Sequence, residues 1–460
     1  MAILSSDLKF FASQRYVDES YGGGRMSATL VQDGVGNNVF PNIAEADHVA
    51  GRVQMRKVYA AVLSANDDTL LTAGVDLTTL PTDSNVDVVA FAWGDHSTTR
   101  AEAAAALAKF PFVNSGVSGG TYNSGTGAFS PDPTAGSRIV IGLYNVTSTI
   151  IGGVPVDVPV ATEFGGFIIP RGVFDVQSVG PVVLAPVPSW AGVSVDKWTS
   201  LSPNPLAPRC AAVATLTAGS GADSVQVSRL DARVIPDVTP YPAAPNGLVS
   251  EALKPAYGKV PIFRVGDKVI LRDGATVELA QIESIDYAAA ELTFTAALAN
   301  SYPSGAKVCA IVDVGDMQAS VGIVFEQQAW TRIFSDSLIG ASPDAAYNLT
   351  SFPIAVQNIG AETERWAIVF TSSTAFKLIG ETFGQIATGS TAADFAPLNP
   401  ITNQPYFTID KDGWGSGWGV GNVLRFNTIG ARKPFWLARC VSPGAANGAD
   451  GVTVDLRGSV

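Results

Sequence analysis

Apolar residues fall along this chain in short blocks, alternating with polar ones or running on for a few β-branched positions, and glycine and proline separate them. Alternation with period two predicts half-buried strands, and short continuous apolar runs predict buried ones. "GRVQMRKVYAAVLSA", Gly51 to Ala65, alternates Val53, Met55, Lys57 and Tyr59 and then turns wholly apolar, which predicts a strand. "VDVVAFAW", Val86 to Trp93, reads as a buried strand. A helix follows in "STTRAEAAAALAKF", with Ser97 to Thr99 as caps, Glu102 in the first turn, Lys109 in the last and Pro111 beyond. The stretch 137–170, rich in Val, Ile and Thr, then returns to strand texture.

Between Val260 and Asp313 the blocks "FRVGDKVILRD", "TVELAQIESIDYAAAELTFTAAL" and "GAKVCAIVDV" are joined by "GD" and "DG" turns. They predict a small barrel or sandwich of about 50 residues. "RWAIVFTSSTAFKLIG", "VLRFNTI" and "ARKPFWLARCV" predict further strands. The proline-dense stretches Pro181 to Pro208 and Pro236 to Pro261 read as semi-rigid connections. The expected fold is mainly β, with several β-sandwich or small β-barrel domains in series and one or a few short helices. Its expected divisions are an N-terminal arm with the first strands (1–60), a central β-rich domain with one helix (61–235), a proline-rich connection (236–259), the small barrel (260–313) and a C-terminal sandwich (314–460).

Composition adds a surface to this picture. Charged residues make up only 15% of the 460 and hydrophobic ones 47%, with a mean hydropathy of +0.23. Soluble proteins average about 25% charged residues, so Ser, Thr, Asn, Gly and Ala must cover much of the outside. Such a surface costs little to desolvate and suits a permanent oligomer. A net charge of −12 and a pI near 4.7 argue against non-specific nucleic-acid binding. Three dispersed cysteines, Cys210, Cys309 and Cys440, offer neither a disulfide framework nor a metal cluster. No export signal is visible, and no apolar run approaches the roughly 20 residues that span a bilayer.

Candidate chemistry is sparse. His48 and His96 are the only two histidines, and no G-x-S-x-G nucleophile motif accompanies them. "GDHS" around His96 reads as helix capping by Asp95 and Ser97 rather than a catalytic Asp–His pair. A calcium loop starting at Asp410 would place ligands where Trp414 and Gly421 stand, so that reading fails. No zinc spacing, no other metal site and no cofactor motif is found. Paired carboxylates for glycoside hydrolysis stay open, because Asp and Glu are scattered throughout. The charged cluster "AETER", Ala361 to Arg365, reads as a solvated turn.

Two glycine-rich stretches remain. Gly413 to Gly421 alternates glycine with Trp414, Ser416, Trp418 and Val420. As an extended strand it would present glycines on one face and tryptophans on the other, either as an interface strand or as a hairpin filling its own core. "SYGGGRMSATLVQDGVGNNVFPN", residues 20–42, lacks the Gly-Lys-Ser/Thr of a phosphate loop. It reads instead as backbone shaped for close approach, with Arg25 free to meet a carboxylate or carbonyl. The interface candidates are therefore Gly22, Gly23, Gly24, Arg25, Asn37, Asn38, Trp414 and Trp418.

"LKFFASQRYVDESYGGGRMSATLVQDGVGNNVFPNI", "GRVQMRKVYAAVL" and "NIGAETERWAIVFTSSTAFKLIGETFGQIATGSTAADFAPLNPITNQPYF" resemble a family of tail proteins from Mu-like, long-tailed bacteriophages and prophages. The resemblance covers roughly the first 65 residues and some 90 near the end. It implies a structural component of the tail tip or baseplate, in the virion and in the host cytoplasm during assembly, with no catalytic residues. The implied partners are copies of the chain itself and other tail proteins, with no nucleic acid and no stable membrane insertion. On that reading residues 20–42 are an arm that docks on a neighbouring subunit. A receptor-binding fibre-type protein in contact with the host surface, with Trp414 and Trp418 stacking on sugar, and a cell-wall or capsule hydrolase stand as alternatives.

Overall fold

The computed structural model describes residues 2–79, 81–109, 111–114, 119–151, 154–162, 168–178, 182–185, 195–238, 258–446 and 451–459. The fold is mainly β, with four sheets of five or more strands and, among the described residues, two α-helices, Glu45–Ala50 and Arg100–Leu107.

A six-stranded antiparallel sheet runs in the order Cys210–Ala211, Val86–Phe91, Arg432–Val441, Arg52–Val62, Leu8–Arg15, Gly23–Leu30. The expected strand after Gly51 forms here, and its apolar second half, Val58 to Val62, is buried. Its longest pairing is with Arg432–Val441, from Arg52 opposite Val441 to Ala61 opposite Arg432. A strand from the far end of the chain thus lies inside a sheet built otherwise from the first half.

The "small barrel" strands do form, as Lys268–Asp273, Thr276–Asp286, Glu291–Phe294 and Lys307–Met317. They are not a closed unit of their own. Lys307–Met317 also pairs with Leu70–Leu77, which in turn pairs with Val454–Ser459, and Val213–Thr215 and Ser224–Gln226 complete an eight-stranded sheet. One continuous apolar core joins this sheet to the six-stranded one, taking in Phe40, Val75, Phe91, Val213, Phe263, Ile270, Phe294 and Trp436. The expected divisions at 60/61 and 313/314 therefore cut through Arg52–Val62 and Lys307–Met317. Apolar periodicity marks strands but not their partners, so separate blocks looked like separate domains. Most of the proline-rich connection lies outside the described residues.

The helix Arg100–Leu107 matches expectation, with a refinement at its start. Thr99 is the cap: its hydroxyl accepts from the Glu102 amide, and the Glu102 carboxylate accepts from Thr99 N at 2.7 Å. Asp95 shapes the turn before it, accepting from Ser97 N at 2.7 Å and Ser97 Oγ at 2.6 Å.

Two further sheets stand outside this body. Val183–Ala185, Ile168–Ser178, Arg138–Tyr144, Val195–Pro203, Gly120–Asn123 and Ala128–Ser130 form one, with Phe112–Asn114 joining Val195–Pro203. Its core is Tyr122, Ile139, Ile141, Phe174, Val176 and Trp198. Beyond Tyr144 the chain continues into an isolated ribbon, Val146–Ile151 paired with Val154–Pro159. The other sheet runs Ser320–Gln327, Val423–Ile429, Glu364–Phe370, Ala375–Gly380, Gly384–Ser390 over an aromatic core.

Candidate functional site

The glycines of residues 20–42 are used inside their own chain. Gly22, Gly23 and Gly24 are buried where the chain turns into the strand Gly23–Leu30. Gly22 O accepts from Arg100 N at 2.8 Å, and Tyr59 donates its hydroxyl to Gly24 O at 2.7 Å. Gly23 has φ +107°, and a Cβ there would stand 2.7 Å from Thr98 O. Close backbone approach is the reason for the glycines, as expected, but the neighbour is the chain's own helix start. This corrects the reading of residues 20–42 as an arm that docks on a neighbouring subunit: Gly23–Leu30 is an integral edge strand of the chain's own sheet. The turn at 32–37 is exposed, as is the strand end Ala28 to Leu30 before it. Asn37 takes φ 60° there, and Asn38 donates its side-chain amide back to Gln32 O.

Arg25 leaves this edge strand and crosses to the C-terminal sheet. Its guanidinium donates to Glu364 Oε2 at 3.1 Å and to Thr363 O at 3.2 Å, and lies 4.6 Å from the centre of the Phe383 ring. The Glu364 carboxylate also accepts from Thr382 N and Arg365 N, each at 3.1 Å, and from the Thr382 hydroxyl. Beside it, Glu362 pairs with Arg432, whose guanidinium also donates to Ile359 O at 2.7 Å. Burial pushes Arg432 down to about 10. Asn358, fully buried, accepts from Ala319 N at 2.6 Å and donates to Ser64 Oγ at 2.9 Å and Asp68 O at 2.8 Å. "AETER" is therefore no solvated turn: both glutamates are buried, and they fasten the C-terminal sheet to the N-terminal one. Sequence reading missed Glu362, Glu364 and Arg432. The available signal was a pair of acids at alternate positions opening an otherwise apolar strand.

A half-open groove of about 540 Å³ follows this seam. Met26, Phe383, Ile386, Leu398, Ile401 and Tyr406 give it an apolar wall, while Arg25 and Glu362 enter already paired. It lies between two sheet edges, Gly23–Leu30 and Gly384–Ser390. Leu398 is 58% exposed at its rim and Ile386 36%. An apolar wall with compensated charges suits binding of an apolar surface.

Trp414 and Trp418 belong elsewhere. Trp418 is buried and stacks on Phe370, with ring centres 4.4 Å apart and planes 9° from parallel. Trp414 lies edge-on to Tyr347 at 4.9 Å and to Phe370 at 5.5 Å. The segment is a 3-10 turn, Lys411–Gly413, followed by irregular loop, so the alternating faces of a strand never arise. Of the two readings, the tryptophans filling their own core is the one observed, and the interface-strand and sugar-stacking readings are corrected. The eight interface candidates thus fall in three settings: the Gly22–Arg25 strand entry, the exposed Asn37–Asn38 turn and the aromatic core.

Among the described residues, no three His, Cys, Asp or Glu side chains gather where they could hold a metal ion. No helix among them is long and apolar enough to cross a membrane. His48 Nδ1 lies 2.6 Å from Ala445 O. All three cysteines are buried, and burial raises the Cys210 and Cys309 thiols to about 12. Comparison of the chain with known protein families, curated proteins and solved structures returns no match.

Proposed function

We propose that the protein is a structural subunit of the tail tip or baseplate of a long-tailed bacteriophage, working as a symmetric homo-oligomer with other tail proteins as neighbours. One observation carries the reading. The blocks that resemble the tail family, Leu8 to Ile43 with Gly51 to Leu63 and Asn358 to Phe407, are remote in sequence yet meet at the seam through Arg25–Glu364. A resemblance confined to two distant blocks makes physical sense if they form one interlocked unit. Low surface charge and an apolar groove between sheet edges support the same role, which needs no catalytic step and no cofactor.

The test is to purify phage or prophage particles from the source and probe them with antibody raised against this chain, by blotting and by gold labelling. The expected result is stoichiometric incorporation with label at one end of the tail. Absence from particles would overturn the reading, as would release of soluble sugar or peptide from cell wall or capsule by the purified chain.

A further inference from the structure

The strand Val454–Ser459 stands last in the order of the eight-stranded sheet, where it pairs with Leu70–Leu77. None of its residues is fully buried, and Val454 and Leu456 pack on the core only half-buried. Beyond the backbone ladder, its hold is a cluster of charges. The register sets Asp455 directly opposite Asp76, two carboxylates on one face of the sheet, an arrangement that repels unless it is compensated. A single arginine of the same strand answers both. Arg457 donates from Nε to Asp76 Oδ1 at 2.8 Å and from Nη2 to Asp455 Oδ2 at 3.0 Å. Arg272 gives Asp455 a second donor at 3.0 Å. Asp76 Oδ2 has no hydrogen-bond partner among the described residues.

Asp76 is fully buried although it points away from the core. Its neighbours Val75 and Leu77 supply the core face, and Asp76 takes the other. There its charged neighbours are Asp455 and Arg457, themselves 36% and 34% exposed, so lifting the strand opens Asp76 to water. On its other side lies Lys307–Met317. Lys307 of that strand donates to Thr78 O at 2.8 Å, Cys309 is buried, and Asp313 and Asp316 accept from Gly315 N at 2.8 Å and Thr72 N at 2.7 Å. Asp33, in the turn at 32–37, acts on Asp455. None of these gives Asp76 a second donor. Burial pushes Asp76 from 3.8 up to about 6 against the pull of Arg457, and it raises Asp455 as well.

We propose that Val454–Ser459 is a releasable edge strand, latched when Asp76 carries a proton and loosened when Asp76 is charged. Protons favour the closed form, because release lets water reach Asp76 and returns it toward 3.8. The strand is therefore held most firmly in acid and loosens as the pH rises through about 6. Asp455, raised in the closed form too, acts in the same sense. Release leaves the backbone edge of Leu70–Leu77 open to pairing with another strand, and acid keeps that edge covered.

Hydrogen exchange of the full chain at pH 5 and 7.5, corrected for the intrinsic rate at each pH, measures the opening. Peptides covering Leu70–Leu77 and Val454–Ser459 should open about tenfold more at the higher pH. Arg52–Val62 and Arg432–Val441 serve as the reference strands. Asp76→Asn, which cannot ionise, should flatten most of that rise. Carbon-13 NMR of carboxyl-labelled aspartate follows Asp76 in the unsubstituted chain, with a midpoint expected at about 6, and does not depend on the variant folding. A native midpoint at the ordinary 3.8 would overturn the proposal. So would an unchanged pH profile in Asp76→Asn, or a strand that opens only together with the reference strands.

Discussion

Arg25 and Glu364 lie 339 positions apart in the chain, yet their charged groups meet at 3.1 Å, with the Glu364 side chain 1% exposed and that of Arg25 14%. Charges this far from water persist only when paired and hydrogen-bonded, and here each has further partners. The pair and its neighbour Glu362–Arg432 make the attachment of the C-terminal sheet specific as well as strong.

The two pairs should differ in cost when broken. Glu362→Ala strands Arg432, whose side chain is 3% exposed, and should cost about 3–5 kcal/mol. Arg25→Ala leaves Glu364 with its Thr382 and Arg365 donors and should cost about 1–3 kcal/mol. Denaturant unfolding of both variants checks the order. Equal losses would mean that the seam does not carry the attachment.

Glycine positions should separate built-in backbone from free loop. Gly23→Ala must place its Cβ 2.7 Å from Thr98 O at φ +107°, and should cost about 3 kcal/mol or more. Gly34, at φ +71° with nothing within 4 Å, should cost only about 1 kcal/mol on the same change. Truncation of residues 1–42 should likewise unfold the six-stranded sheet, because Leu8–Arg15 and Gly23–Leu30 are two of its strands. Thermal melts of the three variants test this, and a truncated chain that melts like the full one would refute it.

The contribution of Lys57 to stability should rise with alkaline pH. Its ammonium is 1% exposed and bonds only to carbonyls, Asp95 O at 2.6 Å and Thr98 O at 3.2 Å, so burial pushes its pKa from 10.5 down to about 8. Between about pH 8 and 10.5 the unfolded chain holds this proton and the folded one does not, so the Lys57 contribution to stability increases across that window, while the buried Cys210 and Cys309 thiols, pushed up from 9 to about 12, act in the opposite sense. The gain is on the order of 3 kcal/mol. Urea unfolding at pH 7.5 and 10.5, on the wild type and Lys57→Met, measures it. Between the two pH values the wild type should gain on the variant by that amount, the thiol contribution being common to both.

Trp418→Ala should remove a core stack rather than a surface contact. Loss of its packing on Phe370 should cost about 3–5 kcal/mol, with a drop in near-ultraviolet circular dichroism. Glycan-array binding should be the same before and after the change.

The local elements are legible in the chain, because each rests on near neighbours. The strand after Gly51, the buried strand at Val86, the Thr99–Glu102 capped helix and the barrel-like strands after Val260 follow from periodicity, caps and turns that act within a few residues. The need for glycine at Gly22 to Gly24 was legible too, since few other signals call for close backbone approach. Which element becomes the neighbour is settled by long-range packing alone. Arg432–Val441 reads as a strand anywhere, but its place between Arg52–Val62 and Val86–Phe91 depends on contacts some 350 to 390 positions away. Glu362 and Glu364 read as solvated charges until Arg432 and Arg25 arrive to bury them, and Trp418 reads equally as an interface ring or a core ring until Phe370 stacks on it. Burial of a charge or an indole is a property of the partner as much as of the residue, and partners this remote leave no periodic trace in the chain.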